Sequence, residues 1–429
     1  MKIVRDLLLV CITCILVSLS SEAAEWAQFR GADGSGISTE KDLPVSWSSE
    51  NGILWAADLP GQANSSPVIT KKRVDLTTQL QDGSLVVISL DRETGKVIWQ
   101  VKLGAGKLDA KGPANLYSHR HNAATPTAVA DEGHTWAFFG SGHLACISAK
   151  TGDVVWQRDL VKDYGAYNIT FGMGSSPRLW NDLLIVSCMT KGASYVVALD
   201  KSSGKQVWKH DRRYPAKDDG PDAYSTPALI KTGGKEQLVV VGSDHVNGYD
   251  PASGKVLWYS DGLAIDSPYG RVIASAIGSN GTIVATSANP GGGGLGHVLA
   301  VKAGKGNVSE SGFAWKHAKT TPDCSTPIVL GDRVFMVTDN GIASCLKLND
   351  GSVVWTKRLN IGTINASLVA GDGKIYVQGI DGKCAVVAAD DKGEIISVNE
   401  VDGTFYATPA ISDGVIYLRA YERIYAIKP

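Results

Sequence analysis

Two histidines in a short polar stretch have the plainest capacity for chemistry in this sequence. His119 and His121 are separated by one residue, so both side chains point the same way if the segment is extended. Together they could supply half of a metal site, but no third ligand is evident near them in the sequence. We therefore assign no metal site to this stretch.

The other apparent motifs fail on their context. The glycine-rich run 291–296 matches the pattern of a nucleotide-binding loop in its letters. Residues 297–301 read as a strand rather than a helix, so no helix N-terminus would face a phosphate. Neither HExxH nor GxSxG occurs in the chain. Any chemistry must therefore come from residues that the fold brings together.

The overall composition excludes several classes of protein. The 429 residues include 42 Lys and Arg against 43 Asp and Glu, which gives a formal net charge of -1. This balance, without a basic run, argues against a nucleic-acid partner. Hydrophobic residues make up 44% of the chain, which is enough for a large core and excludes disorder.

The first residues predict export. Lys2 and Arg5 precede the apolar stretch 7–19, and small residues follow at the positions of a cleavage site after Ala23. We expect residues 1–23 to be a secretory signal peptide, so that the mature protein is periplasmic or extracellular and has no transmembrane span. The alternative is an uncleaved anchor, for which the apolar stretch is short.

The cysteines do not predict a disulfide framework. Their number after signal cleavage is odd, their spacing is wide and no CxxC pair is among them. We expect most to be small buried residues in strands, and we leave open one bridge, of Cys384 with Cys324 or Cys345. The five are Cys146, Cys188, Cys324, Cys345 and Cys384.

Two recurring phrases reveal the architecture. A glycine turn followed by tryptophan, as in Gly95 to Trp99, recurs at Trp-to-Trp steps of 57, 52, 50, 57 and 40 residues. A phrase such as Ser65-Ser66-Pro67 precedes each copy and opens a short apolar strand. Each unit therefore predicts four short antiparallel strands, which cannot cover both faces alone and must pack around an axis. Counting the opening phrases predicts eight blades.

The two ends of the chain indicate how the ring closes. The last unit ends before a Gly-turn–Trp phrase, and residues 51–59 match 353–359 in pattern. We predict that this N-terminal strand completes the C-terminal blade and leaves no open edge. The fold is then an all-β, eight-bladed β-propeller over residues 51–429, monomeric, preceded by an external arm over 24–50. Seven tryptophans are expected to dock between blades: Trp55, Trp99, Trp156, Trp208, Trp258, Trp315 and Trp355.

Residues just before the innermost strands should meet at one mouth of the central channel. They form a polar set that could hold a polyol, a sugar or an extended peptide. A water-filled channel in which these groups satisfy one another explains the pattern equally well. The set comprises Asn64, Asn122, Tyr224, Arg271, Asp323, Asn365 and Tyr406, with His119 and His121 nearby.

The repeats resemble those of a known family. The Gly-x-x-x-Trp phrase is similar to the tryptophan-docking repeat of the pyrroloquinoline quinone (PQQ) dehydrogenases. It is also similar to the repeat in the eight-bladed lipoprotein of the outer-membrane β-barrel assembly machine. The run 26–36, followed by 43–47, resembles the opening of secreted bacterial PQQ-like propellers, as does 119–126. The resemblance implies the fold rather than an activity, because catalytic and non-catalytic members share the repeats.

The resemblance leaves three functions open. Alcohol-oxidising members hold PQQ and Ca²⁺ on the propeller axis, above a disulfide between adjacent cysteines, and this sequence has no adjacent cysteines. A dehydrogenase would lose activity when Asp323 or Arg271 is changed. An assembly scaffold like the lipoprotein would carry a lipid-anchoring cysteine, and none is evident after the signal peptide. We predict a non-catalytic exported propeller that binds a protein or a carbohydrate, with PQQ and Ca²⁺ belonging to the dehydrogenase alternative.

Overall fold

The computed structural model describes residues 25–106, 121–289 and 296–428, and nearly all of their regular structure is β-strand. The strands form eight sheets, each with four antiparallel strands, which follow one another around an axis as propeller blades. The predicted all-β, eight-bladed propeller is thus confirmed. Within the described ranges, no helix has the length and apolar character to cross a membrane. The signal peptide predicted over 1–23 lies outside these ranges.

Strands are numbered in chain order, and β1 is Ile53–Asp58. Blade 1 contains β2 (Val68–Ile69), β3 (Arg73–Gln79), β4 (Ser84–Asp91) and β5 (Val97–Ala105). Blade 2 contains β6 (Val129–Ala130), β7 (His134–Phe138), β8 (His143–Ser148) and β9 (Val154–Asp159). The short helix α1 (Leu160–Tyr164) follows. Blade 3 contains β10 (Arg178–Trp180), β11 (Leu183–Cys188), β12 (Tyr195–Asp200) and β13 (Gln206–Asp211).

Blade 4 contains β14 (Ala228–Thr232), β15 (Lys235–Gly242), β16 (His245–Tyr249) and β17 (Val256–Ser260). Blade 5 contains β18 (Ile277–Ser279), β19 (Thr282–Ser287), β20 (His297–Lys302) and β22 (Phe313–His317). Between the last two, β21 (Gly306–Asn307) adds a parallel fifth strand to blade 4.

Blade 6 contains β23 (Ile328–Leu330), β24 (Arg333–Val337), β25 (Ile342–Lys347) and β26 (Val353–Arg358). Blade 7 contains β27 (Val369–Gly371), β28 (Lys374–Gln378), β29 (Lys383–Ala388) and β30 (Ile395–Glu400). Blade 8 contains β31 (Ala410–Ser412), β32 (Val415–Arg419) and β33 (Arg423–Ile427). The strand β1 completes blade 8 by pairing antiparallel with β33, so the two chain ends close the ring as predicted.

The tryptophan on the outer strand of one blade covers the glycine turn of the next. A Cβ atom on Gly254 would lie 2.4 Å from the Trp208 ring, and the φ of +68° also favours glycine there. These contacts join neighbouring blades through both packing and hydrogen bonds. Six indoles donate to a carbonyl of the next blade at 2.7–3.0 Å: Trp55 to Arg92, Trp99 to Ala149, Trp156 to Lys201, Trp208 to Pro251, Trp315 to Leu348 and Trp355 to Asp390.

Trp258 is the exception, and the expectation that it docks on the next blade is wrong. Its Nε1 donates to Gln237 Oε1 at 2.7 Å, within its own blade. The ring covers Gly248 on the neighbouring strand, where a Cβ atom would lie 2.2 Å from Nε1. The physical reason is that blade 5 connects β20 to β22 through β21 instead of a tight glycine turn, so Trp258 has no such turn to cover.

The arm contributes no blade strand, but it crosses one face of the ring. We call the face where the chain enters each innermost strand the upper face, and the opposite one the lower face. On the lower face, Trp26 exchanges two main-chain hydrogen bonds with Ile69 of blade 1, each 3.0 Å long. Further along, the Glu40 carboxylate accepts from the amides of Asp413 and Gly414 in blade 8. Between these points the Leu229 amide of blade 4 donates to Asp33 O of the arm at 3.2 Å. The arm therefore contacts blades 4 and 8, which lie on opposite sides of the ring.

The end of the arm seals the seam between blades 7 and 8. Blade 7 has Ser397 where other blades carry the docking tryptophan, and Trp47 from the arm lies beside it with 4% of its surface exposed. The Trp47 amide donates to Asn399 Oδ1 at 2.9 Å, and its Cβ packs on Gly52, just before β1. Trp47 thus takes the structural place of the tryptophan that blade 7 lacks.

Candidate functional site: the axial channel

A cavity of about 180 Å³ lies on the propeller axis. Two tiers of side chains line it, and both come from the chain that enters each innermost strand. The inner tier consists of eight hydroxyl residues, one per blade: Ser66, Thr127, Ser176, Thr226, Ser275, Thr326, Ser367 and Thr408. The outer tier lies two residues earlier in each blade: Asn64, Thr125, Gly174, Tyr224, Ile273, Cys324, Asn365 and Tyr406.

The inner tier forms a closed ring of hydrogen bonds. The amide of each member donates to the side-chain hydroxyl of the next blade's member, for example Ser66 to Thr127 at 2.9 Å. The eighth link runs from the Thr408 amide back to Ser66 Oγ at 3.0 Å. The six links between them are 2.9–3.1 Å long. Each hydroxyl therefore already serves as an acceptor for a neighbouring blade, and its first role is structural.

Breaking one link should destabilise the whole ring. We expect Thr226→Val to lower the free energy of unfolding by about 1–3 kcal/mol, because the buried Ser176 amide loses its acceptor while the shape is kept. Urea denaturation measures the change. The same substitution at the exposed Thr404 is the control, and equal midpoints for the two variants would show that the link contributes nothing.

The arm closes the lower end of the channel. Phe29 lines the cavity there, and the Arg178 guanidinium of blade 3 holds the arm by donating to the carbonyls of Phe29 and Gly31, both at 3.2 Å. Arg30 is equally buried and donates to Pro327 O of blade 6 at 2.9 Å. Burial lowers the pKa of Arg30 to about 9 and that of Arg178 to about 10. Both remain cationic at neutral pH and anchor the arm across the axis.

The structure brings together four of the residues predicted for the channel mouth. Asn64, Tyr224, Asn365 and Tyr406 belong to the outer tier of the cavity. Tyr406 also stacks on Tyr421, with ring centroids 5.2 Å apart. These four residues give the upper mouth neutral amide and phenol groups, which are suited to hydrogen bonding rather than to charge recognition.

Three predicted residues do not line the cavity: Asn122, Arg271 and Asp323. In their blades, the residue that reaches the outer tier comes one to three positions later in the sequence than predicted. In blade 2 the residue that enters the hydroxyl ring is Thr127, which follows the proline rather than preceding it, and Thr125 takes the outer place. In blades 5 and 6 the outer places belong to Ile273 and Cys324. The sequence signal that identifies the outer tier is its constant spacing of two residues before the ring hydroxyl.

His121 lies beside the cavity, and His119 lies outside the described residues. A Cβ atom on Gly174 of the outer tier would be 3.2 Å from His121 Cε1. Burial lowers the pKa of His121 to about 4, so the imidazole is neutral at physiological pH. In the part of the chain that the structure describes, no three His, Cys, Asp or Glu side chains are grouped to hold a metal ion.

Arg271 and Asp323 stand on the upper face beside the mouth. Arg271 Nη1 donates to Asp219 Oδ2 at 2.9 Å, and its guanidinium lies 4.5 Å from the centre of the Phe171 ring. Asp323 Oδ1 accepts from the Asn289 amide at 3.2 Å. Burial, and then the charge of Asp339, raise the pKa of Asp323 to about 6. This carboxyl is the strongest candidate for a titrating group near the mouth.

The residues present do not match PQQ with Ca²⁺. PQQ carries three carboxylates, whereas the side chains that line the described cavity include no Lys or Arg and no Asp or Glu. Arg271, the nearest predicted cation, is already paired with Asp219. Ca²⁺ takes six to eight oxygen ligands with carboxylates among them, and the lining offers only hydroxyl, phenol and amide oxygens. We therefore derive no reaction step through this cofactor.

The cysteines add no chemistry at the channel. All five in the described residues are free thiols, so the bridge left open between Cys384 and Cys324 or Cys345 is not formed. Cys324 belongs to the outer tier, and burial is the main cause that raises the pKa of its thiol well above the usual range. It is therefore protonated at neutral pH and a poor nucleophile.

The fold and the repeats define an eight-bladed propeller of the PQQ-like class. A family model described as "Outer membrane protein assembly factor BamB" matches residues 29–188, 141–378 and 339–427, and the chain belongs to this family. A curated outer membrane protein assembly factor BamB from Yersinia pestis is 28% identical over 193 residues, 41% of this chain and 47% of the relative. The chain's matched region spans less than half the length of the curated relatives.

Solved structures of two kinds share the fold. BamB from Moraxella catarrhalis aligns with a TM-score of 0.63 at 14% identity, covering 88% of this chain and 99% of the other. A europium-containing methanol dehydrogenase aligns with a TM-score of 0.67 at 10% identity, covering 93% and 90%. Identities this low show the architecture alone, since an assembly factor and a dehydrogenase match it equally well.

Proposed function

We propose that the protein is an exported, non-catalytic scaffold that binds a protein partner, and that this partner takes part in outer-membrane protein assembly. The observation that carries the proposal is the axial channel. Its hydroxyls are engaged in the ring between blades, and its lower end is closed by Phe29 of the chain's own arm. The residues on the axis therefore stabilise the fold, and the outer surfaces of the propeller are left to bind a partner.

Two further observations support a protein partner. The outer strands of several blades expose large apolar side chains, among them Val97 in blade 1, Val155 in blade 2 and Val353 in blade 6, each at least 50% exposed. An exposed edge strand with apolar side chains can pair with a strand of another chain, which supports a protein partner. The family and the relatives are named as outer membrane protein assembly factors, which supports outer-membrane protein assembly as the process in which the partner acts.

The proposal is tested by two measurements on the mature chain. In cells of the bacterium that encodes it, the tagged protein is cross-linked, purified and analysed for outer-membrane β-barrel proteins, with an unrelated exported propeller as the control. In vitro, it is titrated with PQQ and Ca²⁺ at tens of micromolar, where an affinity of roughly -7 kcal/mol would already be visible. We expect a specific barrel protein and no quinone binding.

The opposite pair of results would reject the scaffold. Stoichiometric PQQ binding with dye-linked oxidation of an alcohol makes the protein a dehydrogenase, whatever it purifies with. A wild-type sample with no barrel protein above the control rejects the role in outer-membrane assembly.

A further inference from the structure

The arm binds five blades at one repeated position on the lower face, three residues after the ring hydroxyl. At this position the amides of blades 1, 2, 4 and 7 donate to arm carbonyls at 2.8–3.2 Å, and the amide of blade 3 donates to the Gln28 side chain at 2.6 Å. The donor and acceptor residues are Ile69 with Trp26, Ala130 with Ala27, Leu229 with Asp33, Ala370 with Gly36 and Leu179 with Gln28.

Like Ile411 of blade 8, the corresponding amides of blades 5 and 6 form no hydrogen bond with the arm. In blade 5, Ser279 pairs with Thr282 at the turn between β18 and β19, and Gly278 comes just before Ser279 in β18. Hydrogen-bonded and non-hydrogen-bonded pairs alternate in an antiparallel ladder, so the N–H and C=O of Gly278 point away from β19. Val329 has the same register in blade 6. Between Asp33, bound to blade 4, and Gly36, bound to blade 7, the arm takes a shorter path and forms no hydrogen bond with either amide.

A groove lies where the arm leaves these two blades uncovered. It encloses about 410 Å³ between the arm and blades 4, 5 and 6, and both Gly278 and Val329 line it. Its rim is open at Gly233 and Gly234, where a Cβ atom would meet nothing within 4 Å. The charged side chains in its lining are Asp33, Lys231 and Glu236, and Glu236 already accepts from the Trp180 indole at 3.0 Å.

We propose that this groove binds an extended segment of a partner protein, which pairs through its main chain with the inner strands β18 and β23. The inference deepens the proposed function and rests on it. We infer an extended chain as the occupant because the arm, which is itself an extended chain, binds the equivalent amides of neighbouring blades. The groove is edged by strand amides and has few free charges. It therefore favours a ligand that pairs through its main chain over a charged ligand.

A synthetic peptide tests the groove directly. The probe is a fluorescein-labelled decapeptide of alternating Val and Thr with two C-terminal lysines, and its fully N-methylated form is the chemical control. Ser279→Tyr fills the groove, whereas Lys72→Tyr places the same ring on the corresponding turn of blade 1, outside the groove. Urea midpoints close to that of the wild type show that both variants are folded.

We expect the wild type and Lys72→Tyr to bind the peptide equally, with affinity reduced at least tenfold in Ser279→Tyr. The N-methylated peptide should not bind, and 1 M NaCl should change the affinity little because few charges are involved. Equal binding by Ser279→Tyr and the wild type overturns the inference. So does the absence of binding by the unmethylated peptide at about 1 mM, which corresponds to about -4 kcal/mol.

The same variants in the cross-linking experiment separate the inference from the proposed function. Loss of the barrel protein in Ser279→Tyr, with retention in Lys72→Tyr, supports the groove as its docking surface. Retention by Ser279→Tyr overturns the groove as that surface and leaves the proposed function standing. If wild-type protein captures no barrel protein, the proposed function fails, and the peptide titration still decides whether the groove binds an extended chain.

Discussion

Replacing Trp47 by alanine should lower the free energy of unfolding by about 3–5 kcal/mol, the usual cost of removing a large buried aromatic side chain. The ring is only 4% exposed and lies 6.4 Å from the ring of Tyr376, between centroids. Four hydrogen bonds hold the same stretch of arm to blade 7: Tyr376 Oη to Pro44 O, Ser397 Oγ to Val45 O, Asn399 Nδ2 to Val45 O and the Trp47 amide to Asn399 Oδ1.

The effect should extend beyond the lost contacts because of where Trp47 sits in the chain. It lies a few residues before β1, the strand that completes blade 8 and closes the ring. Blade 7 has no docking tryptophan of its own, since Ser397 occupies that place. Without Trp47, the seam between blades 7 and 8 loses its only aromatic cover from the described arm, and β1 becomes easier to detach.

Urea denaturation and limited proteolysis measure both consequences. We expect a lower midpoint for Trp47→Ala and faster cleavage within the arm. Trp47→Phe should lose much less, because the indole Nε1 has no hydrogen-bond partner among the described residues. Tyr269→Ala, at a ring that is 47% exposed, controls for loss of an aromatic group. An unchanged midpoint for Trp47→Ala would mean that the arm is dispensable for ring closure.

The repeats predicted the propeller well because each one encodes a local physical need. A glycine such as Gly254 needs both a positive φ and room for the neighbouring Trp208 ring, so turn and ring recur together in the sequence. Strand β1 was also recognisable, since its Trp55 docks like the others. Blade number and ring closure could therefore be read from a single sequence.

The channel was predicted only in part, because its geometry depends on which hydroxyl residue faces the axis. The phrases around Pro67 and Pro126 look alike, yet the ring member precedes the proline as Ser66 and follows it as Thr127. The hydrogen bond between blades decides the choice, and its two residues are 61 positions apart. The path of the arm is equally non-local, which is why Trp47 was not recognised as a docking residue.

Replacing Asp323 by asparagine should raise the free energy of unfolding at pH 8 by about 1–2 kcal/mol. Burial, and then Asp339, raise the pKa of Asp323 to about 6, so the folded protein carries an unfavourable charge there at high pH. A shift of this size corresponds to about 3 kcal/mol at 1.4 kcal/mol for each pKa unit, and partial exposure to solvent reduces it. Asparagine keeps an oxygen that can accept from the Asn289 amide.

The sign of the pH dependence follows from the raised pKa. Between the usual pKa of an aspartate, near 4, and the folded value near 6, the folded protein binds more protons than the unfolded chain. The wild type therefore loses stability as the pH rises through this window, and the loss is complete above it. Asp323→Asn has no such loss, so its advantage should be present at pH 8 and absent at pH 4.

Urea midpoints at the two pH values measure the difference, with the exposed Asp402→Asn as the matched control. If Asp323→Asn is instead less stable than the wild type at pH 8, the carboxylate is held in its charged form. The main-chain amide of Asn289, and then the positive charge of Arg271, lower the pKa of Asp323 and are the groups that would hold it so. A carboxylate kept charged beside the upper mouth would be ready to bind a cation or accept a proton. That result would make Asp323 a candidate functional residue. The expected gain in stability would instead show that the charged Asp323 side chain destabilises the fold.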